Sequence, residues 1–453
     1  MELPLKFKIS KRDAFYYAIV FLSAGLVLSN VSGIVPLALL AVLSAPLIFN
    51  PAAIIPLLYL SSWHNGFLII PGLTHFFYLF LLIVSLYVTR RKHQYAILWG
   101  FPVYIYIAIP LLFWFLWTGF RAVSGDAFPS IKIAASLSLM IIGSVLKIEN
   151  MEFSRKCVVW IALGSTVLFT AIALLHPFYV EHEGSTLRVG PKKATLHLSV
   201  MPGVNPNIAA RVMALNFVIL YAEAFRQKKI WMGAVSMVNL IPVMLCGSRT
   251  TMLAMAVVIM LLPVLSRGLN WKNILLGGAV FGILALLYTL GGDLNDQKEM
   301  TVDSVVEDGG HGRLITMEGL FTTVIPQHLL AGIGTGRDNF TEMGFGYDAD
   351  NMYVDVLAQI GLVGFLLFFA WYFAFMRHYL PRRYTYSDKC LARGFLYIFL
   401  VMGIGISLVD TYGLYFCFTY LILLRNAEPE YVGTRWRIRF SEGRLTLSKK
   451  LQC

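Results

Sequence analysis

Asp350 and Asn351 stand at the start of a long apolar segment and follow a polar stretch, Gly291–Ala349. A carboxylate in such a position could act as a general base that removes a proton from a hydroxyl group. His311, within the polar stretch, could do the same because imidazole titrates near neutral pH, although a solvated loop histidine is the simpler interpretation. The sequence therefore predicts acid–base chemistry at the edge of an apolar segment.

Arginines in polar breaks between apolar segments could bind an anion. Arg249 lies in the tight break Gly247-Ser248-Arg249, where a guanidinium can hold phosphate through two parallel hydrogen bonds. The alternative is an interfacial arginine that only anchors a turn. Arg211 stands one turn into an apolar segment with few other polar residues, after the turn signal Asn205-Pro206. Asn207 could simply cap that helix.

Metal and nucleotide chemistry have little support in the motifs. Asp348 and Asp350 could together bind a hard divalent cation, but the five cysteines show no CxxC spacing. The run from Gly332 to Arg337 alternates glycine with other residues, yet no predicted strand precedes it and no Lys-Ser/Thr follows. Its glycines therefore predict a backbone that turns sharply. We expect neither a metal nor a cofactor.

The elements that must position these residues are apolar helices. The chain has 453 residues, of which 58% are hydrophobic and 14% are charged, whereas soluble proteins carry roughly 25% charged residues. Apolar runs close to the ~20 residues that cross a bilayer recur along the chain. Because lipid cannot satisfy backbone polar groups, the sequence predicts an all-α, polytopic integral membrane protein of about 12–14 transmembrane helices with one large outward-facing loop.

The net charge of +12 indicates orientation and argues against nucleic-acid binding, because the cations lie in short connections and in the tail. Short loops rich in lysine and arginine mark the cytoplasmic side. With the N-terminus inside, clusters such as Arg90-Arg91-Lys92 fall in the cytoplasm. The connections Arg121–Pro129, Pro177–Asn207 and Gly291–Asp350 then lie on the outer face.

This topology predicts five parts along the chain. They are an N-terminal transmembrane bundle with an outer loop, central transmembrane helices, a large outer loop, C-terminal transmembrane helices and a basic cytoplasmic tail, at residues 1–206 (outer loop 177–206), 207–290, 291–350, 351–425 and 426–453. The first apolar run lacks a small-residue cleavage pattern, so no signal peptide is predicted. No internal repeat indicates the inverted halves of a secondary transporter.

The order of the motifs resembles that of the O-antigen ligase and polymerase superfamily. The motifs that carry the resemblance are Asn205-Pro206-Asn207 with Arg211, Gly247-Ser248-Arg249, Gly312-Arg313, Gly332-Ile333-Gly334, and Asp350-Asn351 with Gly361 and Gly364. They cover roughly residues 200–370, and the first half of the chain is similar only as a set of spans. The resemblance implies a glycosyltransferase of the inner (cytoplasmic) membrane, active on its periplasmic face, which uses glycans carried on undecaprenyl diphosphate.

One position departs from the ligase signature of this superfamily, which is His-Asn, nine residues and Gly-x-x-Gly. Asn351, Gly361 and Gly364 keep the spacing, but Asp350 stands where the histidine belongs. Asp350 could replace that histidine as a base, His311 could take its role, or the aspartate could indicate a polymerase. We expect a polymerase that joins the repeat units of a surface polysaccharide or O-antigen. A ligase that transfers the glycan to lipid A-core or another acceptor is the alternative.

The resemblance also implies roles for individual residues. Three are assigned to catalysis: Asp350, His311 and Arg313. Four arginines are assigned to the diphosphate of the donor: Arg188, Arg211, Arg249 and Arg337. The expected partners are the lipid-linked donor, a glycan or lipid A-core acceptor, membrane lipids, and a chain-length regulator and flippase of the same pathway. A polysaccharide transporter or flippase, and a non-enzymatic scaffold, are the alternatives from other classes.

The glycines of the signature have a purely structural interpretation. Gly361 and Gly364 lie inside the predicted helical run Met352–Met376. Small residues allow membrane helices to approach closely, and this packing role is enough to explain both glycines. We therefore assign them to the scaffold of the site and not to its chemistry.

Overall fold

The structure is a computed structural model. It describes residues 10–28, 33–63, 73–89, 95–98, 102–146, 148–175, 181–183, 186–188, 206–245, 249–267, 313–345, 351–379, 386–404, 412–427, 435–441 and 444–450. Most of these residues are helical, which confirms the predicted all-α class, and five short strands lie outside the helices.

The helices of the N-terminal part are α1 (Lys11–Leu28), α2 (Ile34–Ser44), a 3-10 helix (Ala45–Phe49), α3 (Pro51–Trp63), α4 (Leu73–Val88), α5 (Val103–Phe120), α6 (Phe128–Val145) and α7 (Met151–Leu175). Those that follow are α8 (Pro206–Gln227), α9 (Ile230–Val238), α10 (Leu240–Leu245), α11 (Arg249–Arg267), α12 (Arg313–Gly319), a π-helical turn (Leu320–Val324), α13 (Ile325–Gln327), α14 (Arg337–Glu342), α15 (Met352–Tyr379), α16 (Tyr386–Met402) and α17 (Tyr412–Ala427).

Three helices of the described chain are long and apolar enough to cross a membrane: Val103–Phe120, Met151–Ala171 and Met352–His378. Shorter apolar helices, such as Pro51–Ser62 and Thr74–Val88, accompany them. These helices support a membrane-spanning protein. The number of spans stays a prediction, because the apolar run at residues 273–290, one of those expected to cross the bilayer, lies outside the described residues.

The strands form two small antiparallel arrangements. β2 (Glu181–Glu183) and β3 (Thr186–Arg188) make a hairpin, and β1 (Tyr95–Leu98), β4 (Arg435–Ser441) and β5 (Arg444–Lys450) make a three-stranded sheet in the order β1-β4-β5. From its charge alone, the C-terminal tail is predicted only as a basic cytoplasmic segment. The alternation of charged and apolar residues from 435 to 440 is the strand pattern that this interpretation missed.

By packing, the chain divides into two compact units. One comprises Met1–Trp99, Val145–Ile161 and Leu423–Cys453, and the other comprises Gly100–Ser144 and Ala162–Ile422. The division falls within α7, so it follows packing and not the order of spans along the chain. This division does not test the five parts predicted along the chain, which stay a prediction. The candidate site lies in the second unit.

Within the second unit, α5 and α15 run antiparallel. Near one end of the pair, the ring of Tyr104 lies 5.1 Å from that of Phe375 and 5.1 Å from that of His378. Further along, the indole Nε1 of Trp114 donates a hydrogen bond to the carbonyl oxygen of Ile360 at 2.8 Å. α16 packs against α8 and α11, and the hydroxyl of Tyr372 on α15 donates to the Leu396 carbonyl of α16 at 2.6 Å. Helix α15 is therefore held from several sides.

Candidate functional site

Helix α15, which carries the signature glycines, is interrupted at Gly361. This residue has φ 67° and ψ −177°, a conformation that breaks the helix between Ile360 and Leu362. The sequence alone predicts one continuous helical run in which both glycines serve helix packing. The structure instead gives Gly361 a conformational role, because side-chain-bearing residues rarely adopt this backbone geometry.

A helix break leaves backbone groups without their usual partners, and here other segments supply the partners. The N–H of Ile333 donates to the Ala358 carbonyl at 2.9 Å, and the N–H of Gly334 donates to the Gln359 carbonyl at 2.9 Å. The Ile360 carbonyl accepts the bond from Trp114, and the N–H of Leu362 donates to the Leu329 carbonyl at 2.7 Å. In a membrane each unsatisfied backbone group would cost several kcal/mol. These four hydrogen bonds offset that cost and so stabilise the break.

The partner segment is the glycine run 332–337. Gly332, Gly334 and Gly336 have φ of 72°, 96° and 118°, which confirms the predicted sharply turning backbone. Each also lies against another segment: a Cβ on Gly334 would lie 2.6 Å from that of Ala122, and one on Gly336 would lie 2.8 Å from Cγ of Pro129. The run is therefore a close-packed structural connection.

Two connections predicted on the outer face meet at this run. The N–H of Val123 donates to the Ile333 carbonyl at 3.0 Å, and the N–H of Ser124 donates to Oδ1 of Asn339 at 2.9 Å. Asn339 is almost fully buried and donates its Nδ2 to the Thr335 carbonyl at 3.0 Å. The two connections are therefore in direct contact, and their assignment to the outer face stays a prediction.

Residues 313–345 pack on the first part of α15 through an apolar cluster. Its buried members are Leu320, Val324, Ile325, Ile333, Phe340, Val354 and Ala358. The last two belong to α15, so the second half of the predicted large loop shares a core with the motif helix. Ile333 joins this core to the glycine run. The predicted loop therefore includes a compact segment that fixes the start of α15.

Asn351 caps α15. Its Oδ1 accepts hydrogen bonds from the N–H groups of Tyr353 at 3.0 Å and Val354 at 3.2 Å, as an N-cap residue does. Its Nδ2 donates to the Ile404 carbonyl at 2.9 Å, and its own N–H donates to Oδ2 of Asp355 at 3.3 Å. The geometry explains the asparagine as the residue that fixes where α15 begins.

Sequence reasoning missed three residues that hold this arrangement together: Trp114, Asn339 and Asp355. Asp355 is fully buried one turn into α15. An acidic residue in the first turn after a capping residue is a recognisable signal of a helix start, so Asp355 could have been found. Trp114 and Asn339 carry no comparable local signal.

Three of the predicted arginines are the first residues of helices. Arg249 begins α11, Arg313 begins α12 and Arg337 begins α14. Arg337 is exposed. Arg211 is half-buried in the second turn of α8, and Arg188 is the last residue of β3, in register with Glu181. The binding of the donor diphosphate by these arginines stays a prediction.

Both predicted bases, Asp350 and His311, lie outside the described residues, as does Asp348. Their roles therefore stay predictions. In the part of the chain that the structure describes, no group of three or more His, Cys, Asp or Glu residues is placed to hold a metal ion.

Two further cations lie beside the glycine run, stacked on aromatic rings. The guanidinium of Arg121 is 5.1 Å from the ring centroid of Trp117, and Nζ of Lys132 is 4.3 Å from that of Phe128. The ring quadrupole attracts the cation in each contact. Arg121 and Lys132 therefore add positive charge at the end of α5 and in the first turns of α6.

Comparison with known proteins gives one finding for this region. Residues 233–369 match a family model described as O-antigen ligase. The match begins in α9 and ends in α15, so it contains the glycine run, Asn351 and Gly361, whereas Arg188 and Arg211 lie before it. No curated protein matches the chain.

Proposed function

We propose that the chain is a polymerase of the O-antigen ligase and polymerase superfamily, whose family model matches its residues 233–369. In this proposal it joins oligosaccharide repeat units carried on undecaprenyl diphosphate, at the outer face of the cytoplasmic membrane. The match of residues 233–369, called the family region below, supports the superfamily, and the aspartate at position 350 favours the polymerase within it. At the coarser level, that region and the apolar helices support a membrane glycosyltransferase of the O-antigen ligase type.

The proposed reaction is a single displacement at the anomeric carbon of the donor glycan. A hydroxyl oxygen of the acceptor sugar forms a bond to that carbon while the bond to the diphosphate oxygen breaks. The diphosphate leaves with the electron pair and stays attached to its undecaprenyl chain. The hydroxyl proton passes to a base, for which Asp350 and His311 are the candidates.

The charge that develops on the departing diphosphate needs positive groups already in place. Preorganised charges of this kind supply several kcal/mol of transition-state stabilisation in a partly dry site. Arg249, Arg313 and Arg337 are proposed for this role within the family region, and Arg188 and Arg211 outside it.

The position of Arg249 favours a functional role. It is the first residue of the 19-residue helix α11, where the positive end of the helix dipole disfavours a cation. Local helix stability therefore does not account for this arginine. Binding of an anion beside the N-terminus of α11 would account for it.

Asp350 favours a polymerase over a ligase, because the ligase signature has histidine at that position. The ligase remains the second candidate, since the family region is described by that activity. Both reactions use the same donor and leaving group, so they differ only in the acceptor.

Reconstitution of the full chain in liposomes with an undecaprenyl-diphosphate-linked repeat unit tests the proposal. Longer lipid-linked chains are the expected product. Transfer to added lipid A-core, without chain lengthening, would establish the ligase instead. Movement of the donor across the bilayer without any new glycosidic bond would establish a flippase, and absence of both turnover and movement would contradict an enzymatic role.

A further inference from the structure

Leu329 and Leu330, just before the glycine run, expose their side chains although they dock on a membrane-spanning helix. Their exposed fractions are 44% and 65%. We infer that the segment 325–331 is embedded in the bilayer and that these two leucines contact the acyl chains of phospholipids. The inference concerns a lipid-contacting surface and does not depend on the proposed reaction.

The first observation is continuity with the exposed side of α15. Beyond the break, Leu362, Leu366 and Phe373 are exposed by 36%, 60% and 54%. Their spacing of four and seven residues places them on one side of the helix. In a helix long and apolar enough to cross the membrane, an exposed apolar side is the one that meets lipid.

The backbone at the break joins the two leucines to this exposed side. The Leu329 carbonyl accepts the hydrogen bond from the N–H of Leu362, and a Cβ on Gly361 would lie 2.5 Å from the nitrogen of Ala331. Leu329 and Leu330 therefore lie at the level of Leu362, where the exposed apolar side of α15 begins. They extend that side past the point where the helix is interrupted.

The depth of the break follows from the length of the second part of α15. Residues 362–376 are uncharged and precede Arg377, and they span about 22 Å at 1.5 Å per residue. The hydrocarbon core is about 30 Å thick, so an upright helix leaves about 8 Å of it to be crossed before the break. A tilted helix leaves more. Leu329 and Leu330 are thereby placed inside the hydrocarbon, below the headgroups.

Several backbone groups of the segment are paired within the protein, as lipid requires. Irregular backbone occurs at membrane depth only where protein or a water-filled cavity satisfies it. The N–H of His328 donates to the Val324 carbonyl at 2.9 Å, the His328 carbonyl accepts from the N–H of Gly332 at 2.8 Å, and the Leu329 carbonyl accepts from the N–H of Leu362.

Scattered exposed leucines are common on soluble surfaces and would by themselves mean little. Two features separate this pair from that background: it adjoins the exposed side of a membrane span, and its backbone is tied to that span. An apolar patch that binds a protein partner would not need to adjoin a membrane span or to have its backbone bonded to that span.

Photochemical labelling of the full chain tests the inference directly. A diazirine analogue of leucine is placed at position 330, and the protein is irradiated in nanodiscs that contain phospholipids only. Position 366 serves as the lipid-facing control, and Thr341, exposed on α14, serves as the aqueous control. We expect phospholipid adducts at 330 to match those at 366 and to exceed those at 341 by about tenfold, because a side chain outside the bilayer meets water.

An adduct yield at 330 no higher than at 341 would overturn the inference, as would cross-linking at 330 to a second copy of the chain. The analogue resembles leucine in shape, so it should not disturb folding at position 330. Labelling at position 366 checks that the protein is inserted in the nanodisc. A folding defect can therefore be distinguished from a true absence of lipid contact. No glycan donor is present, so the outcome is independent of the proposed polymerase activity.

Discussion

Gly332 and Gly361 approach each other so closely that neither position has room for a side chain. A Cβ on Gly332 would lie 2.6 Å from the nitrogen of Gly361, and a Cβ on Gly361 would lie 2.5 Å from the nitrogen of Ala331. Both glycines also have positive φ. Residues that are far apart in the sequence therefore form one contact that only two glycines can make.

Alanine at Gly332 or Gly361 is expected to destabilise the protein strongly. Left-handed backbone costs an alanine roughly 1–2 kcal/mol, and displacement of the facing backbone raises the total to about 3 kcal/mol or more. Thermal unfolding of the purified variants in detergent measures the loss.

Two other glycines provide matched controls for these variants. Gly344 has φ +86° with no atom within 4 Å of a Cβ, so Gly344→Ala should cost only the backbone contribution, about 1 kcal/mol. Gly164 lies in α7 with equally open space, and Gly164→Ala should be neutral or slightly stabilising. Equal melting temperatures for Gly332→Ala and Gly164→Ala would contradict the close contact.

Replacement of Trp114 by phenylalanine should destabilise the break in α15. It removes the hydrogen bond that the Ile360 carbonyl accepts from Nε1 of Trp114, and an unsatisfied acceptor costs about 1–3 kcal/mol. Trp117→Phe is the control, since Trp117 is 40% exposed and phenylalanine keeps a ring face for Arg121. A similar loss in both variants, read from unfolding curves, would show that aromatic bulk matters and not the hydrogen bond.

Asn339→Ala should loosen the contact between the two outer connections. The asparagine side chain bonds both Ser124 and Thr335 while almost fully buried, so its loss should cost about 2–3 kcal/mol. The neighbouring Asp338 is exposed, and Asp338→Ala should cost less than about 1 kcal/mol. Hydrogen exchange of residues 121–130 would show the difference, and unchanged exchange in Asn339→Ala would refute it.

Asn351 should tolerate serine and not alanine. Serine keeps an oxygen for the cap of α15, whereas alanine loses about 1 kcal/mol of capping. Both lose the bond from Nδ2 to the Ile404 carbonyl. We expect Asn351→Ser to retain turnover in the reconstituted assay; a folded but inactive serine variant would instead give Asn351 a direct part in the chemistry.

Arg249→Ala and Arg313→Ala should each lower turnover by roughly 10²–10³-fold, because each removes a charge proposed to stabilise the leaving diphosphate. The amount of folded protein should not change. Arg377→Ala, in the last turn of α15, is the control and should keep its activity. Full activity in both site variants would remove the arginines from the mechanism.

Local patterns predicted much of this arrangement. Apolar runs gave the helices, and alternating glycines predicted the turning backbone of residues 332–336. The spacing from Asn351 to Gly361 and Gly364 led to the family that residues 233–369 match. These features depend on residue type and on short separations along the chain.

The features that could not be predicted depend on distant partners. A glycine within an apolar run fits a continuous helix, so the break at Gly361 becomes visible only once Gly332 lies against it. The bond from Trp114 to Ile360 joins residues 246 positions apart. No local pattern encodes such a contact, because its free energy depends on both segments being in place.

The break at Gly361 gives a structural reason for the nine-residue spacing between Asn351 and Gly361 in the signature. The nine residues between Asn351 and Gly361 form a rigid rod of about 13.5 Å, fixed at one end by the cap and at the other by the glycine run. One residue more would lengthen the rod by 1.5 Å and rotate its far end by about 100°. The length of this interval thus sets the distance and the angle between Asn351 and the glycine run.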